Sequence, residues 1–103
     1  MAKKIVDFVI ILQDRIRKRH YHETEKGKVI YYVVQLETKI NNKWKPVIRY
    51  DCAHGFSHLD KYNLNGRQYK TNLDLSFENA LKLADWDINE NREKYINSFL
   101  KSG

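Results

Sequence analysis

Cysteine, proline and long apolar runs are nearly missing from this chain of 103 residues. It holds one cysteine (Cys52), one proline (Pro46) and four glycines. A lone thiol cannot close an internal disulfide, so the fold must rest on its core, as suits a reducing cytoplasm. No apolar run approaches the ~20 residues of a membrane-spanning helix, and no membrane partner is expected. The apolar stretch Ile5 to Leu12 is broken by Asp7 and runs into Gln13-Asp14-Arg15 with no small-residue cleavage site, which argues against a secretory leader. Repeats, low-complexity tracts and linkers are absent, so residues 1–103 read as a single domain.

What the chain does have is positive charge. The net charge is +6, and it is unevenly placed. Up to Arg49 there are 12 basic and 5 acidic residues; from Tyr50 onward there are 7 and 8. The cationic half is densest at Arg15, Arg17, Lys18 and Arg19, with Lys26 and Lys28 beyond. Such a face attracts polyanions by releasing their counterions, so these residues are candidate nucleic-acid contacts, with Arg67 and Lys70 further along. A solvated strand face is the plainer alternative. Tyr21, Tyr31 and Tyr32 interleave with the basic residues, a weak signal of the same kind.

The apolar pattern indicates an α+β fold. Ile5 to Leu12 is rich in β-branched residues, and Val6, Phe8, Ile10 and Leu12 alternate as in a strand; a helical stripe through Ile5, Val9, Leu12 and Ile16 is the rival reading. Arg15 to Lys26 reads as a polar continuation of that strand toward a turn at Gly27. Val29 to Ile40 alternates as a second strand, Asn41-Asn42-Lys43 as a tight turn, and Trp44 to Asp51 as a third strand. Pro46 lacks an N–H, so it implies an edge or a bulge. Leu59 to Leu64 and Gln68 to Leu73 flank the hairpin signal Asn65-Gly66. Ser76 caps a helix whose stripe runs Phe77, Leu81, Ala84, Ile88, Tyr95, Phe99. The expected architecture is an antiparallel meander of about five strands with one long C-terminal helix on one face.

Chemistry concentrates in Arg49-Tyr50-Asp51-Cys52-Ala53-His54-Gly55-Phe56-Ser57-His58-Leu59-Asp60, a loop that leaves the third strand. Three readings stand side by side. In the first, His54 and His58 form an acid–base pair, Asp51 orients one of them, Arg49 holds a phosphate and Tyr50 orients it or assists with a proton. That set is sufficient for RNA cleavage without a metal or cofactor. In the second, Asp51, His54 and His58 hold a transition metal. In the third the loop is structural, with Asp51 capping a turn and Gly55 at a positive φ. Elsewhere, His20 and His22 are expected to be exposed. Trp44, Trp86 and Cys52 are expected to be packing residues.

The pattern W-x-P-V-x-R-Y-D-x-A-H-G, carried by Trp44, Pro46, Val47, Arg49, Tyr50, Asp51, Ala53, His54 and Gly55, resembles a family of small uncharacterised bacterial and archaeal proteins. It continues through His58, Asp60 and Gly66 and, in the helix, Glu78 to Leu81, Asp87-Ile88 and Asn91 to Tyr95. Tyr50, Asp51, Gly55 and His58 also resemble TumE-type toxins of toxin–antitoxin modules, in which a strand ending in Tyr-Asp enters a histidine-rich loop. His54 departs from that outline: the usual two histidines lie one residue apart, whereas His54 and His58 are four apart. The resemblance implies a cytoplasmic, RNA-directed toxin or an inactive relative, with RNA and a cognate antitoxin as partners. A homodimer is a further expectation, because a sheet with one covering helix leaves an edge unprotected.

Overall fold

A computed structural model describes residues 2–102. Six strands precede one helix: β1 (Lys4–Gln13), β2 (Ile16–Glu25), β3 (Lys28–Ile40), β4 (Lys43–Asp51), β5 (His58–Tyr62), β6 (Gln68–Asn72) and α1 (Phe77–Leu100). The strands form one antiparallel sheet in chain order, and α1 packs across β3 and β4. The meander and its covering helix are as the sequence reading expects, with six strands in place of about five.

The extra strand arises at Asp14-Arg15. The expected polar continuation of β1 instead reverses there and becomes β2, pairing Phe8 with His20 and Ile10 with Lys18. Arg15 takes a left-handed φ of 66°. Its carbonyl accepts from Lys39 N at 2.9 Å and from Thr38 Oγ1 at 2.9 Å, and its guanidinium donates to the Lys39 carbonyl at 3.2 Å. These tertiary bonds offset a conformation that the residue type disfavours. The other turns follow their residue types. Asn41 and Asn42 sit at φ 50° and 64°, and Gly66 at 86° closes the β5–β6 loop.

Alternation along each strand divides the sheet into two faces. One faces the helix and carries Tyr32, Val34, Leu36, Ile48 and Tyr50, all buried. Pro46 pairs with Glu37 beside a bulge, which leaves Val47 as the extra residue and sends it into the core with Ile48. Ser76 caps α1, its hydroxyl accepting from Asn79 N at 3.1 Å. Ala80, Ala84 and Ile88 are fully buried, and the small alanines let the helix lie close to the sheet. Asp87 is buried with them and accepts from Tyr50 Oη (2.5 Å), Tyr95 Oη (2.6 Å) and Asn91 Nδ2 (2.6 Å). No helix among the described residues is long and apolar enough to cross a membrane.

Three side chains correct the sequence reading on this face. Lys18 is buried and donates to Asp85 (2.6 Å) and Asn89 (3.3 Å) of α1, so it is withdrawn from any nucleic-acid surface. Trp86, expected to pack, is 61% exposed. His20, expected to be exposed, is buried, with its ring stacked on Phe8 at 4.6 Å and its Nε2 2.6 Å from His22 Nδ1.

Burial, and then the neighbouring His22, lower the His20 pKa below its ordinary 6.5. The unfolded chain then takes up a proton that the folded chain refuses. Stability is therefore full above about pH 6.5 and falls as the pH drops toward the folded value. His20→Phe is expected to flatten this loss while keeping the stack on Phe8. Urea unfolding at about pH 7.5 and about pH 5 measures it, and an unchanged difference between the two removes His20 as the cause.

Candidate functional site

The face away from the helix is open, and charge is organised across it. Register places Arg19, Gln35, Arg49, Asp60 and Lys70 in one cross-strand row from β2 to β6. The next row holds Asp7, Tyr21, Val33, Asp51, His58 and Asn72. Antiparallel neighbours in one row stand close enough for their side chains to meet.

They meet as an alternating chain of charges. Arg17 Nε bonds Glu37 at 2.6 Å, and Gln35 Nε2 donates to the other Glu37 oxygen at 2.5 Å. Arg49 Nη1 reaches Gln35 Oε1 at 3.5 Å, and Arg49 Nε bonds Asp51 Oδ2 at 2.6 Å. Asp51 Oδ1 lies 2.5 Å from His58 Nε2 and accepts from Ala53 N at 3.3 Å. His58 Nδ1 is 3.4 Å from Asp60 Oδ1, which Lys70 approaches at 4.0 Å. Asp51 is the hub: it joins the guanidinium, the loop backbone and the imidazole.

The loop itself folds back over this cluster. Gly55 takes φ 87°, and its N–H donates to the Cys52 carbonyl at 3.0 Å, which tightens the turn. The His54 ring then lies 6.1 Å from that of His58 at an interplanar angle of 24°, and Phe56 meets His58 edge-on at 5.9 Å. His54 is exposed, whereas His58 is 1% exposed beneath it. Both His58 ring nitrogens and Asp60 Oδ1 are buried without a hydrogen bond among the described residues. The close Asp51 contact thus lies off the direction of a ring N–H. Asp51, His58 and Asp60 bring ligand-type atoms within 4.8 Å of one another; His54 falls outside that set. The metal reading built on Asp51, His54 and His58 therefore exchanges His54 for Asp60.

Beside this cluster lies a cleft of about 340 Å³ lined by Asp7, Arg19, Tyr21, Tyr31, Gln35 and Arg49 among others. Two guanidiniums and two phenol rings facing one open cleft suit a phosphate chain with stacking bases. The Tyr21 hydroxyl donates to Glu23, and chiefly this bond raises its pKa to about 12, so it remains a neutral donor.

The expected site residues separate as follows. Arg49, Asp51, His54 and His58 come together. Tyr50, next along the strand, points to the opposite face and bonds Asp87, which corrects its assignment to phosphate. Arg17 and Arg19 flank the cleft end of the network, and Arg17 also covers the Trp44 ring at 4.2 Å. Lys70 closes the far end. Arg15, Lys26, Lys28 and Arg67 are exposed at the strand ends and turns, outside the cleft lining. Tyr21, Tyr31 and Gln35 join the cleft only through register, although the interleaving of Tyr21 and Tyr31 with basic residues was a signal. Cys52 is buried, as expected for a small packing residue. Burial raises its thiol pKa, which makes it a poor nucleophile.

Residues 1–103 match the model of a family described as Domain of unknown function (DUF7718), and the chain belongs to that family. No curated protein and no solved structure matches it.

Proposed function

We propose that this DUF7718 protein engages single-stranded RNA along the open face of its sheet, and that the histidine loop cleaves the bound strand without a metal ion. Its role would be that of a cytoplasmic ribonuclease toxin neutralised by a cognate antitoxin. The observation that carries the reading is the Arg19–Gln35–Arg49 row, flanked by Tyr21 and Tyr31 in one cleft and leading into Asp51, His58 and His54. Arginine neutralises phosphate and tyrosine stacks on bases whatever their sequence. His54 is the water-facing imidazole of the loop. It accepts the 2′-hydroxyl proton, the 2′-oxygen bonds to phosphorus, and the 5′-oxygen departs with a proton from water. Arg49 stabilises the charge that gathers on the phosphoryl oxygens. His58, out of reach of solvent, is a positioning residue held between two carboxylates.

A second reading is non-catalytic RNA binding, and the burial of His58 favours it, because only one imidazole of the pair faces water. One experiment separates the two. Labelled single-stranded RNA is incubated in chelator with wild type, His54→Ala and Arg19→Ala. The enzyme reading predicts cleavage that falls by roughly 100-fold or more in His54→Ala. Arg19→Ala should retain cleavage at saturating RNA and bind more weakly at every sequence, with a shallower salt dependence. Binding without cleavage supports the second reading. Absence of binding at low salt defeats both.

A further inference from the structure

The two edges of the sheet are built differently. At one end, β6 is five residues long, polar and exposed throughout, with Lys70 at its centre. Short, charged edges of this kind resist pairing with other chains. At the other end, β1 runs ten residues without proline or glycine. Its side chains are apolar on both faces: Ile5, Val9 and Ile11 on the open side, Val6, Phe8 and Ile10 on the helix side. All six are substantially exposed, up to 63% for Ile11. The covering helix packs on β3 and β4 and reaches β1 only at its end, where Arg92 donates to Gln13 at 2.6 Å, so Ile5 to Ile11 stay uncovered. A long apolar edge with free backbone N–H and C=O groups is a template for a further strand.

We propose that β1 is the interface of a twofold homodimer in which it pairs antiparallel with β1 of a second copy. Register chooses this occupant. A twofold centred on Asp7 would set the two Asp7 carboxylates directly opposite each other, which is destabilising. Moving the centre by one residue, to Phe8, sets Ile5 against Ile11 and Val6 against Ile10 of the second copy. It sets Phe8 against itself and Asp7 against Val9, with the carboxylates offset. The strand is thus close to its own complement about Phe8, the register that brings all six exposed apolar side chains into cross-strand pairs. From their fractional exposures, the six apolar side chains present about 500 Å² per chain, so pairing covers at most about 1,000 Å² of side-chain surface for the two copies, at the low end of specific interfaces before the backbone is counted.

Pairing about an axis normal to the sheet puts both helices on one side and both open faces on the other. The two clefts, each reaching from β1 Asp7 to β4 Arg49, then lie next to one another. Their Arg19 rows would be separated by three strand spacings, roughly 15 Å. This consequence rests on the RNA reading, whereas the dimer does not.

Sedimentation equilibrium of the full chain at high micromolar concentration tests the proposal. Wild type is expected at twice the chain mass. Ile5→Lys/Ile11→Lys, which opposes lysines across the axis, is expected to halve that mass. Ile5→Lys/Ile11→Glu, which opposes unlike charges at the same places, should stay dimeric. Phe8→Cys should oxidise to a covalent dimer, because self-paired antiparallel residues stand ~4.5–5.5 Å apart at Cα, within disulfide reach, and Cys52 is buried away. Far-UV circular dichroism checks that each variant is folded. A monomeric wild type overturns the proposal and leaves a strand of another protein, such as an antitoxin, as the occupant of the edge. A dimer that survives the double lysine variant also overturns it, as does the absence of a covalent Phe8→Cys dimer.

Discussion

Asp87→Ala is expected to cost about 3–5 kcal/mol of unfolding free energy, because each hydrogen bond to a charged acceptor contributes about 1.5–3 kcal/mol. The carboxylate is buried beneath α1 and accepts from Tyr50, Tyr95 and Asn91. Alanine would leave two tyrosine hydroxyls in the helix–sheet interface with no acceptor, and a buried donor left unpaired loses its full desolvation cost. Asp87→Asn keeps one acceptor oxygen and should cost roughly half as much. Burial and then Asp87 push the Tyr50 and Tyr95 hydroxyls above their ordinary 10.0. Their ionisation therefore favours the unfolded chain, and wild-type stability falls as the pH rises above about 10. Urea unfolding followed by circular dichroism measures each loss. A change below about 1 kcal/mol for Asp87→Ala would mean that the helix is anchored by its apolar stripe alone.

Asp51→Ala is the second large effect, expected at about 3 kcal/mol. Asp51 is buried and shared by Arg49 Nε, Ala53 N and His58. Without it, Arg49 loses its anion, the buried imidazole loses the carboxylate beside it, and the turn loses its anchor. Under the proposed ribonuclease function, RNA cleavage should fall together with stability, because His54 depends on the turn for its place over His58. The link is measurable as a double-mutant cycle. Asp51→Ala and His58→Ala should couple by ~1–3 kcal/mol, and additive losses would show that the two side chains act independently.

Most of the architecture was legible in local patterns. The period-two runs gave the strands, Asn41-Asn42 and Asn65-Gly66 gave turns, Pro46 implied the bulge, and Ser76 marked the helix start. Asp14-Arg15 was not legible, because an arginine in the left-handed region gives no local signal. Its stabilising bonds come from Lys39 and Thr38, which only the tertiary fold brings near. The histidine loop could be located because its residues are contiguous. The cleft could not, since Arg19, Tyr31 and Arg49 meet only once the register of three strands is known. Tyr50 could have been excluded from the site. Neighbours along a strand point to opposite faces, so a residue between Arg49 and Asp51 cannot share theirs. Lys18 resembled its basic neighbours, and only the placement of Asp85 and Asn89 on α1 takes it from the surface.

The strict chain order of the strands has a kinetic consequence. Each strand pairs with the one just before it, so every sheet contact forms by closing a short loop rather than by a distant search. Sequence-local topology of this kind lowers the entropic barrier to folding. The sheet can zip outward from the β3–β4 hairpin, whose Asn41-Asn42 turn is already preset, and the helix arrives last. A nascent chain would complete its meander before α1 has been made, with Val34, Leu36 and Ile48 open to water until the helix lands.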